Sequence, residues 1–218
     1  MKRFALCLLC VLFMGSFVAG CRSNVPQETD GSIVPTDTHT PSSEATRQTE
    51  FSEPIMQSGT ADTGSAQILE KIWDSYAEEE RFAVYGGSVE MSVSDGPGDL
   101  DMKATEELTT RYLLPQDRLN MVTEGASLVH LMNNNIFTAV VFRLTDGQQA
   151  KALADAWVAA IRDNRWICGQ PDRLLLAQPD SNHILMAFGS QDAMTAFQGK
   201  LTAAYPDNQM LYQEAIVA

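Results

Sequence analysis

The chain has 218 residues, 44% of them hydrophobic, and carries 28 Asp and Glu against 15 Lys and Arg, a formal net charge of −13 at pH 7. An acidic excess of this size argues against nucleic acid and against anionic lipid head groups as partners, because both are polyanions. The length allows one domain with a substantial core and leaves a long segment over.

Lys2 and Arg3 precede Phe4 to Phe17, a largely apolar run too short for a permanent membrane span, so residues 1–20 read as a secretory signal. The stretch Val18-Ala19-Gly20-Cys21 resembles the lipobox of bacterial lipoproteins. That resemblance implies cleavage before Cys21 and a diacylglyceryl group, palmitate among its chains, on the Cys21 thiol. Each buried methylene contributes about 0.8 kcal/mol, so two or more acyl chains anchor the protein at the extracytoplasmic face of the cell membrane. Cys7 and Cys10 leave with the signal, and lipid consumes Cys21. Cys168 is then alone, and an exported protein with one free cysteine has no internal disulfide framework. Loss of Lys2 and Arg3 leaves 13 basic residues against 28 acidic ones, a net charge near −15.

Residues 21–63 are rich in Ser, Thr, Pro and acids, as in "TDTHTPSSEATRQTE", and cannot bury enough apolar area to offset the entropy of ordering them. They read as a disordered tether with an rms reach of about 35 Å. His39 lies in it with no neighbour that would make it a metal ligand.

Residues 64–218 are expected to form a single α+β domain. Ile68, Leu69, Ile72, Trp73 and Tyr76 predict an amphipathic helix over 65–80. The Gly- and Asp-rich 85–103 region reads as loop with one short strand. Thr105 predicts a capped helix over 105–113, stopped by Pro115. "ASLVHLMN", 126–133, reads as an extra strand, and "IFTAVVFRL", 136–144, as the first strand of a clearer pattern. Asp146 and Gln149 open a helix carrying Leu153, Ala154, Trp157, Val158 and Ile161. "RLLLAQ" and "HILMAFG" form two strands joined by a turn at Pro179 to Asn182. Ser190 caps a helix with Met194, Phe197 and Leu201, and "MLYQEAIV" closes as a strand. The order β-α-β-β-α-β over 136–217 predicts a ferredoxin-like core.

Ile136, Val140 and Phe142 alternate with Phe137, Ala139 and Val141, so this strand is expected to be apolar on both faces, and 183–188 behaves alike. Either the N-terminal helix with Trp73 covers the second face or a partner does.

The stretches from "TTRYLLPQDRLNMVTEG" through "DRLLLA" and "AFGSQDAMTAFQGKLTAAYP" resemble an uncharacterised lipoprotein domain family of clostridial-type Gram-positive bacteria, over most of 66–218. The resemblance implies lipidated export and an α+β domain of unknown function; it supplies no catalytic residue.

Among candidate residues, Cys168 in "NRWICGQPD" with His183 as base would make a thiol nucleophile. The sulfur follows a helix C-terminus, where the dipole disfavours a thiolate, so a buried or half-buried structural cysteine is the expectation. His130 and His183 read as core or edge histidines. Asp95, Asp99 and Asp101 could offer oxygen ligands to calcium, but the spacing is not that of an EF-hand and a solvated turn is expected. No catalytic set and no cofactor is assigned, and enzymatic activity is left open with a non-enzymatic role ahead. The expected function is a lipid-anchored module that binds a protein, peptide or small ligand. The alternatives are a small solute-binding accessory of a transporter and, third, a thiol enzyme using Cys168.

Overall fold

The computed structural model describes residues 63–216. The expected signal, Cys21, and residues 21–62 of the expected tether, His39 among them, lie outside the described residues.

The first helix, α1 (Ser65–Trp73), buries Ile68, Leu69, Ile72 and Trp73 along one stripe. It is shorter than the periodicity predicts, because the Ser75 hydroxyl donates to the Ile72 carbonyl at 2.6 Å and competes with the next helical turn. Its first turn holds no acid of its own; the Glu124 carboxylate accepts the Ser65 amide instead. The loop expected over 85–103 contains three short strands, β1 (Val84–Gly86), β2 (Val93–Ser94) and β3 (Gly98–Asp99). They crowd together because Gly86 and Gly98 have no side chain: a Cβ on Gly86 would lie 2.3 Å from the Gly98 nitrogen. The next helix, α2 (Thr105–Thr110), starts at the expected cap residue and ends before the expected 113: Ala104 takes the N-cap position and no side chain closes it.

Strands β4 (Val122–His130) and β5 (Phe137–Leu144) pair antiparallel along their length. Asp146 accepts the Gln148 amide at 2.9 Å and opens a short 3-10 turn into α3 (Ala150–Asp163). Strands β6 (Arg173–Gln178) and β7 (His183–Gly189) follow, then α4 (Gln191–Ala204), capped by Ser190 as expected, and β8 (Gln209–Ala215).

The fold is α+β: one sheet in the order β2-β1-β4-β5-β7-β6-β8, with β3 also on β4 and all pairings antiparallel. This corrects the ferredoxin-like expectation at its last strand. In a ferredoxin-like sheet the fourth strand lies beside the first; here β4 takes that edge of β5 through a short hairpin, and β8 pairs with β6.

The displacement of β8 decides where the helices go. The crossovers β5-α3-β6 and β7-α4-β8 step across the sheet in the same direction from strands that run oppositely. Right-handed crossovers of that kind must lie on opposite faces. Accordingly α3 packs with Val140, Phe142, Ile184 and Met186, whereas α4 packs with Ala139, Val141, Leu185 and Ala187. Trp157 of α3 anchors the first core, its indole nitrogen donating to the Tyr112 carbonyl at 2.9 Å. On the second face α1 joins α4, so Trp73 does lie in the cover, with a second helix that the sequence pattern does not assign there. Three layers result, and strands apolar on both sides are their sequence signature.

Candidate functional site

Seven-residue β7 separates the two residues proposed as a thiol–imidazole pair. His183 starts it, opposite Arg143; Gly189 ends it, opposite Arg173 and Phe137. Cys168 precedes β6 at the Gly189 end, so roughly 20 Å of strand lies between the two. The dyad cannot form.

His183 is buried. Its Nδ1 lies 2.9 Å from both Asp180 carboxylate oxygens, and its Nε2 has no partner. Nδ1 is therefore the protonated nitrogen, donating to Asp180. Asp180 Oδ1 also accepts the Asn182 and His183 amides, at 2.8 and 3.0 Å, and so fixes the β6–β7 turn. A depression of about 720 Å³ opens beside this turn, lined by Gly147, Lys151, Gln178, Asp180, Asp207 and Leu211 among others. Two of its polar side chains are engaged: Gln178 donates to the Gly147 and Ser181 carbonyls, and Lys151 bonds Asp155 and Tyr212. The Asp207 carboxylate and the Gln148 and Gln209 amides make no side-chain bond among the described residues.

Cys168 is exposed, against the expectation of burial. Its φ is +65°, in the left-handed region that non-glycine residues avoid, and Gly169 follows at +103°. The conformation is held through the backbone by the β4–β5 loop. Asn133 donates to the Cys168 carbonyl at 3.3 Å, and Asn135 donates to the Ile167 and Gly169 carbonyls at 2.7 and 2.6 Å. Asn134 is fixed in turn by the Tyr85 hydroxyl at 3.0 Å. Three successive carbonyls thus face inward, and the side chains of Ile167 and Cys168 face out.

The outcome is an apolar pair of loop tips. Met132 is 82% exposed, Ile167 81% and Leu131 54%. Trp166 stays half-buried on Phe188, rings 5.0 Å apart, and ties the second loop to the core. Leu131, Met132 and Ile167 are thus large apolar side chains in water on two loops that Asn133 and Asn135 join into one loop end. The residues that build it, Asn133 to Asn135, were not picked out from the sequence, although three turn-forming amides between two strands are a visible signal.

No family model, curated protein or solved structure matches this chain. Among the described residues there is also no group of three or more His, Cys, Asp or Glu able to hold a metal ion, Asp95, Asp99 and Asp101 included. Nor is any helix among them long and apolar enough to cross a membrane.

Proposed function

We propose that residues 63–216 are a binding module held at the extracytoplasmic face of the cell membrane by lipid on Cys21, and that the module recognises a protein. Its contact surface in this reading is the loop end with Leu131, Met132 and Ile167. The observation that carries it is the bracing of these loops by Asn133 and Asn135, which keeps large apolar side chains in water in fixed positions. Pre-organisation of that kind lowers the ordering cost of association. Membership of the clostridial-type lipoprotein domain family belongs to the same proposal. So does a reading of β5 to β8 as a ferredoxin-like unit with its last strand moved to the far edge.

The open form of the depression near Asp180 supports surface contact over solute capture, which needs enclosure. Affinity capture from envelope extract with the tethered protein tests the role. Wild type is expected to recover a partner that a Met132→Asp, Ile167→Asp variant of unchanged melting temperature does not. Equal capture by both removes the loop end as the surface. Cys21→Ser is expected to move the protein from the membrane fraction to the soluble one; retention in the membrane removes the anchor.

A further inference from the structure

A cleft of about 300 Å³ lies next to the loop end, on the α1 and α4 side of the sheet. Its walls are mainly apolar, from Tyr76, Phe82, His130, Ile136, Ala193 and Ala196. Ile136 belongs to the β4–β5 connection that also carries Leu131 and Met132. The aromatic wall is rigid: Phe82 stacks on His130 with centroids 5.5 Å apart and meets Phe137 edge-on at 5.4 Å. The His130 Nδ1 accepts the Met132 and Asn133 amides at 3.2 and 3.4 Å, so the neutral ring has its proton on Nε2.

Two carboxylates border the cleft. Glu80 is paired with Lys200 at 2.6 Å, and that hydrogen bond holds its carboxyl below the usual range. Asp192 has no ion pair or side-chain hydrogen bond among the described residues. The volume is at the small end for ligand sites, enough for one large side chain and too small for a cofactor. Aromatic faces are not free for a cation: Lys200 lies over Tyr76 at 5.2 Å, and His130 covers Phe82.

We infer that this cleft receives a large apolar side chain, phenylalanine or leucine, from a protein partner, and that a lysine or arginine beside it in the partner pairs with Asp192. The inference rests on the loop end being the contact surface. Apolar walls select the anchor, and the unpaired carboxylate with the acidic surface selects its basic neighbour.

Fluorescein-labelled pentapeptides test it by anisotropy against the full chain in detergent: phenylalanine flanked by two lysines on each side, the same with central alanine, and phenylalanine flanked by glutamates. The phenylalanine–lysine peptide is expected to bind about tenfold tighter than the alanine peptide, as burial of one aromatic side chain predicts. It should also bind well above the glutamate peptide. Ala196→Trp, which fills the cleft from the exposed side of α4, is expected to remove the tenfold preference, and Asp192→Lys to weaken binding about threefold. Asp163→Lys, on α3, is expected to change nothing. Equal binding of the phenylalanine and alanine peptides, or an Ala196→Trp variant that melts normally and binds as wild type, overturns the cleft. If Met132→Asp with Ile167→Asp abolishes binding while Ala196→Trp does not, the cleft fails and the loop end stands; if neither matters, both fail.

Discussion

Cys168 illustrates how little a residue's type fixes its surroundings. A lone cysteine beside Trp and Ile suggests burial, yet the amides of Asn133 and Asn135 hold its backbone so that the sulfur faces water. The native protein should therefore react fully with a thiol reagent without denaturant, and Cys168→Ser should leave stability within about 0.5 kcal/mol. Protection until unfolding would contradict the exposed position. At the other end of the sheet His183 depends on Asp180, since its Nε2 already lacks a partner. Asp180→Ala should cost about 1–3 kcal/mol in urea unfolding, the penalty of a buried polar group left unpaired. His183→Leu in the same background should recover part of that loss. A neutral Asp180→Ala would mean that neither the pair with His183 nor the bonds to the Asn182 and His183 amides contribute to stability.

At the scale of elements, α1 and α4 together replace the external partner that two-sided apolar strands would otherwise require. Ile72 is fully buried between α1 and β4–β5, so Ile72→Ala should cost about 2–5 kcal/mol by lost transfer energy and the cavity left behind. A loss below about 1 kcal/mol would mean that α1 rests loosely on the sheet. Regular helices were legible because their apolar spacing and caps are local: Ser190 and Asp146 act where the sequence places them. β1, β2 and β3 were not, because two- or three-residue strands have no periodicity and exist through the close approach of Gly86 to Gly98 and of both to β4. The face that α4 covers was hidden for a different reason. It follows from the edge that β8 joins, which is settled by β4, a strand more than seventy residues away.

For the whole molecule, no Asp or Glu among the described residues is buried, and a few of these carboxylates are tied into the fold. Glu124 is the clearest. Partial burial raises its pKa, but the Ser65 amide and Arg143 outweigh that and hold it below its ordinary value of 4.5. A carboxyl lowered on folding contributes stability that is present above the ordinary value and lost as pH falls through the lowered one. Thermal melts should therefore drop on acidification below about pH 4.5, and less steeply in Glu124→Gln; identical pH profiles would exclude the contribution. The cleft and the loop surface were beyond sequence reasoning. Tyr76, Phe82, His130, Ile136 and Ala193 come from five segments, and chain order carries no record of which will meet. The sequence by itself determined the α+β class, the order and type of the long elements and two-sided burial of the strands, all set by local periodicity and capping. Only the tertiary structure decided the sheet order, the opposite faces of α3 and α4, the separation of Cys168 from His183 and the braced apolar loops. Those depend on non-local pairing, where the placement of one strand fixes the neighbours of all the others.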